Sequence, residues 1–105
     1  MDEIKHDSET IWFTKYKERN GNLVFYENNY ILTLIKKKDC VHGVLNYKED
    51  DQITKLTTIV CPKGASEGIG NTDGDVLYKA RFNHDMVTVE VIKKVRVNIL
   101  NWMNS

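Results

Sequence analysis

Apolar and polar residues alternate with a period of two through most of this chain, the pattern of strands that bury one face and wet the other. Over residues 11–17, Trp12, Thr14 and Tyr16 share one face while Ile11 and Phe13 share the other. Asn20-Gly21 comes next, and adjacent residues that tolerate positive φ are a strong signal for a tight hairpin turn, so a hairpin is expected over residues 11–26. Glu27-Asn28-Asn29 marks a second turn. Residues 30–35 are β-branched and aliphatic enough for a central strand, and residues 40–47 place Val41, Leu45 and Tyr47 on one face around Gly43. Two further alternating runs, 53–60 and 76–82, bracket a polar and glycine-rich stretch, and Asn83-His84-Asp85 turns the chain into a last run at 86–91.

Three segments break the alternation. Residues 1–9 are charged and aperiodic and read as a loose N-terminal arm. Residues 61–75 hold four of the six glycines and the sole proline, and read as one long, flexible, acidic loop. At the C-terminus Val95, Val97 and Ile99 alternate as a strand would. Val91, Ile92, Val95, Ile99, Trp102 and Met103 also recur at three- and four-residue spacing, which favours a helix over 93–103. The expected fold is therefore α+β and mostly β: an antiparallel meander of six or seven strands, as a curved sheet or small barrel, with a C-terminal helix.

Composition narrows the class. At 105 residues the chain is expected to form a single domain over 1–105, and 41% hydrophobic against 29% charged residues is ordinary for a globular protein. Cys40 and Cys61 are too few for a disulfide scaffold, and no signal segment or membrane-length apolar run stands out, so a cytoplasmic location without membrane partners is expected. Fifteen basic residues balance fifteen acidic ones, which speaks against a generic polyanion binder. The distribution is uneven, with a net of −3 over residues 1–75 and +3 over 76–105.

Motifs with chemical meaning are tested one by one. The glycines at 64, 68, 70 and 74 miss the spacing of phosphate-binding loops, and no Gly-Lys-Ser/Thr follows them. Asn71, Asp73 and Asp75 begin like a calcium loop, but Val76 and Phe82 stand where glycine and a bidentate glutamate belong. Cys40, His42, Cys61 and His84 lack the paired short spacings of a zinc site, and a Cys61–His84 or His42–His84 catalytic pair depends on spatial proximity that spacing does not supply. No catalytic residue, metal or cofactor is therefore assigned.

Two surfaces remain. Glu49, Asp50 and Asp51 in one turn, with Glu67, Asp73 and Asp75 in the glycine-rich stretch, form an acidic rim if the fold brings them together. That rim suits a non-enzymatic protein-binding module, a small inhibitor that covers a basic, nuclease-like active site. Toxin-immunity proteins work that way, as a functional analogy. The alternative is a β-rich binder of single-stranded nucleic acid, with Lys36-Lys37-Lys38 meeting phosphates while Trp12, Tyr30 and Tyr47 stack on bases.

Overall fold

The computed structural model describes the backbone of residues 2–71 and 75–98, and the side chains of 7–71 and 75–93. Nine strands run in one antiparallel sheet: β1 (Asp2–Phe13), β2 (Tyr16–Arg19), β3 (Asn22–Glu27), β4 (Tyr30–Lys36), β5 (Cys40–Glu49), β6 (Gln52–Pro62), β7 (Glu67–Asn71), β8 (Val76–Phe82) and β9 (Val87–Asn98). Their order across the sheet is β1-β9-β8-β7-β6-β5-β4-β3-β2. Consecutive strands are neighbours everywhere except at the seam, where β1 and β2 form opposite edges although only Thr14 and Lys15 separate them in sequence. A two-residue link cannot span a flat nine-stranded sheet, so the sheet curls into an open half-barrel. Phe13 of β1 meets Phe25 of β3 edge-on at 6.4 Å between ring centroids, and Lys15 O accepts the Tyr26 N–H.

The concave face is the core. Ile11, Phe13, Phe25, Leu32, Leu45, Ile59, Tyr78, Ala80, Val87, Val89 and Val91 form one buried cluster, drawn from seven of the nine strands, β1, β3–β6 and the β8–β9 pair. Phe13, Leu32, Leu45, Ile59 and Val89 are fully buried, each worth about 1.5–3 kcal/mol in transfer from water. Cross-strand register puts Leu32 opposite Leu45 and Gly43 opposite Ile59. A bulge after Leu45 leaves Leu56 unpaired on β6 and turns the lower half of that strand.

This all-β architecture corrects the α+β expectation: among the described residues there are nine strands, not six or seven, and no helix. Residues 93–98, expected to start a C-terminal helix, continue β9; the rest of that segment, 99–103, lies outside the described residues. The physical reason is a partner. The N-terminal stretch expected as a loose arm is the first half of β1, and it pairs with β9 from Asp2 opposite Asn98 through to Phe13 opposite Val87. With that ladder available, the β-branched Val95 and Val97 take the extended conformation they favour. The same pairing shortens the expected 11–26 hairpin. Ile11–Phe13 go to β9, and only β2 and β3 turn about Asn20 (φ 53°) and Gly21 (φ 82°).

The glycine-rich stretch also divides. Residues 67–71 form β7, paired to β8 over five positions but to β6 only through Val60 and Ile69. Gly68 and Gly70 occupy its inward positions and are buried. A Cβ at Gly70 would lie 2.6 Å from Thr57 Oγ1 and 2.8 Å from Thr58 O, and one at Gly68 would lie 2.8 Å from Val60 O. The two glycines let β7 lie almost against the β6 backbone. The preceding turn is pinned: Lys63 N–H donates to Asp39 O, Cys61 Sγ–H donates to Ala65 O, and Phe82 N–H donates to Ser66 O.

Candidate functional site

An up-and-down meander sends alternate turns to opposite ends. The β3–β4 and β5–β6 turns and the β7–β8 connection leave one end; the β2–β3, β4–β5, β6–β7 and β8–β9 turns leave the other.

Of the acidic residues singled out from sequence, Glu49, Asp50, Asp51 and Asp75 are at the first end, all exposed. Asp50 has φ 54° in the two-residue turn between Glu49 and Gln52, the conformation such tight hairpin turns require. Among the described residues none of these four carboxylates is in an ion pair; Lys48 and Lys55 flank the β5–β6 turn, and Lys93 stands opposite Val76, next to Asp75. Asp73 lies outside the described residues. Glu67 is separated from the rest: it stands at the opposite end, where Arg81 Nε at 3.0 Å and Lys79 Nζ at 3.7 Å already neutralise it.

The lysine run is likewise apart from two of the three aromatics expected to cooperate with it. Lys36, Lys37 and Lys38 sit in the β4–β5 turn, whereas Tyr30 and Tyr47 pair across the other end of the same two strands, ring to ring at 5.1 Å and 70°. Trp12 is 57% exposed on the convex surface of β1. What the lysines border instead is a cleft of about 690 Å³ at the mouth of the half-barrel. Its floor is Leu23, Leu34, Val41, Cys61 and Phe82, and its rim is the lysine run facing Lys63 from the β6–β7 turn. The Lys63 N–H bond to Asp39 O, 3.0 Å, ties the two lysine-bearing turns together. Glu18 is the one carboxylate in the lining. The cleft was not foreseen in the sequence, where Lys63 is an isolated lysine far from the run.

The soft nucleophiles do not assemble. Cys61 is on the concave side of β6, while His42 is on the convex side of β5 opposite Val60. His84 stands exposed in the β8–β9 turn. Burial pushes the Cys61 thiol up, with the Cys40 charge adding to it, so it stays protonated at neutral pH as the donor to Ala65 O. Both cysteines are free, and because Val41 rather than Cys40 faces Cys61 in the register, the two side chains start on opposite faces. Among the described residues no three His, Cys, Asp or Glu side chains group as metal ligands would, and no helix is long and apolar enough to cross a membrane.

No protein-family model matches the chain, and no curated protein or solved structure is significantly similar to it. The functional reading rests on the chemistry of the two ends.

Proposed function

We propose that this protein acts by binding rather than by catalysis, as a small inhibitor-type module whose acidic end meets a basic surface on another protein, such as the active site of a nuclease. One observation carries this reading: the meander brings the Glu49-Asp50-Asp51 turn and Asp75 to the same end of the sheet, exposed and without ion pairs among the described residues. Exposed, unpaired carboxylates speed encounter with a cationic partner and select against acidic ones. The nucleic-acid alternative has less support, because Tyr30 and Tyr47, two of the three rings it invokes, are at the opposite end of β4 and β5 from the lysine run.

The test uses the full chain as bait beside D50K/D51K/D75K and K36Q/K37Q/K63Q. A basic protein retained in a 1:1 complex by the wild type and the lysine variant, and bound at least ~10-fold more weakly by the acidic-end variant, supports the reading. Equal retention by all three baits overturns it. So does salt-sensitive binding of a thymidine oligonucleotide that is lost in the lysine variant.

A further inference from the structure

The cleft at the opposite end has a chemistry of its own, independent of the acidic end. Its floor is aliphatic and aromatic: Leu23, Leu34 and Phe82 extend the core cluster outward, Val41 lies beside them, and the buried Cys61 thiol is turned to a backbone carbonyl rather than to solvent. Its rim carries Lys36, Lys37, Lys38 and Lys63 with a single facing carboxylate, Glu18. None of those lysines is in an ion pair among the described residues. An apolar floor with cationic groups confined to the mouth matches a ligand with the same division, an apolar chain ending in one anionic head. The size agrees, since about 690 Å³ lies within the roughly 300–1,000 Å³ of small-ligand sites.

We infer that this cleft is a binding site for an amphipathic anion, specifically a medium-chain alkyl carboxylate, its chain against Leu34, Val41 and Phe82 and its carboxylate between Lys63 and the 36–38 run. A nucleotide is a poor match because the floor offers no polar group for a base or ribose. A purely apolar ligand leaves the four lysines without a role. Lysine suits this head group because it is a point charge on a long flexible stem, able to follow a carboxylate at the mouth without fixing one geometry.

Decanoate, titrated below its micelle concentration into the isotopically labelled full chain, tests the assignment, with decan-1-ol and decyltrimethylammonium as probes of the same chain length. Decanoate is expected to bind once per molecule and to shift the signals of Leu23, Leu34, Val41 and Phe82. Lengthening from octanoate should strengthen binding by up to about fourfold per buried methylene. K36Q/K37Q/K63Q, which alters exposed side chains only, should weaken decanoate at least ~10-fold and leave decan-1-ol unchanged, while D50K/D51K/D75K leaves both unchanged. The inference is overturned if decanoate and decyltrimethylammonium bind alike, if the lysine variant binds decanoate as the wild type does, if the shifted signals lie elsewhere, or if no binding is seen to about 1 mM. Failure here leaves the acidic-end reading standing, because the two variants report separate ends.

Discussion

A single methyl group at Gly70 should test the sharpest structural feature of the sheet. In Gly70→Ala the new Cβ meets Thr57 Oγ1 at 2.6 Å, Thr58 O at 2.8 Å and Ile59 Cγ1 at 2.9 Å. Relief is blocked on every side: Ile59 is fully buried, Thr57 is 4% exposed, and Thr58 O belongs to the backbone. Overpacking of this kind costs about 1–3 kcal/mol. Displacing Thr57 also strains its hydroxyl bond to Asn71 O, 3.2 Å long, for about 1 kcal/mol more. The lower entropy of the unfolded alanine chain returns roughly 0.5 kcal/mol. A net loss of about 2–3 kcal/mol should lower the urea midpoint by about 1 M, read by circular dichroism. Gly43→Ala is the matched control, because its Cβ would meet Leu32 Cδ1 and Leu34 Cδ2 at 3.4 Å, ordinary contact. It should match the wild type or gain up to about 0.5–1 kcal/mol. Thr57→Ala combined with Gly70→Ala should cost less than the two singly, since it removes the nearest clash. A Gly70→Ala midpoint within about 0.2 M of wild type, or an equal loss in Gly43→Ala, would refute the close approach of β7 to β6.

Two further outcomes follow from the same geometry. Burial raises the phenol pKa of Tyr78, and burial followed by the charge of Glu9 raises that of Tyr30, both above the ordinary 10.0. A raised folded pKa means stability that is complete below pH 10 and lost as pH rises through the folded value, because the unfolded chain gives up its proton first. Tyr78→Phe should therefore flatten the decline of the urea midpoint between about pH 9 and 11, and a variant that declines in parallel with wild type contradicts this. Glu67→Gln removes both ion pairs with Lys79 and Arg81, yet all three side chains are at least a third exposed, so the loss should stay below about 1 kcal/mol and shrink with salt. A loss above about 2 kcal/mol would mean that the pairs are far stronger than exposed ones are.

The residues that were legible in sequence are those whose pattern is local. Val76, Tyr78, Ala80 and Phe82 alternate with wetted neighbours and do form β8, and Asn20-Gly21 takes the two positive φ values its composition predicts. Period two fixes which face a residue occupies but says nothing about its partner, so the pattern alone puts Ile11–Phe13 in the 11–26 hairpin, whereas they pair with β9. The two corrected ends are linked: with residues 1–9 as an arm, residues 93–98 have no ladder partner, and the helical spacing of Val91, Val95 and Ile99 is then the stronger pattern. β7 was hidden for a different reason: Glu67-Gly68-Ile69-Gly70-Asn71 does alternate, but glycine stands at both inward positions, so the face that packs carries no apolar side chain to announce it.

The two candidate ends were obscured by the same confusion of nearness in sequence with nearness in space. Tyr30 and Lys36 are six residues apart on one extended strand, which places them about 20 Å from each other rather than side by side. Lys63 and the 36–38 run are far apart in sequence but belong to turns that leave the same end. Neither the overall charge of zero nor the division into an acidic first part and a basic last part carries information about where charges meet in space. The β5–β6 turn and Asp75 gather exposed carboxylates at one end, and the β4–β5 and β6–β7 turns bring four lysines to the other, where Asp39 and Glu67 also stand. The ten residues of β5 separate these ends by about 30 Å, against a screening length of about 8 Å at physiological salt. Neither end therefore feels much of the other, and a ligand at one meets only the charges within about a screening length of it. A neutral chain of this topology excludes neither a cationic nor an anionic partner, and charge reversal at one end should leave affinity at the other unchanged.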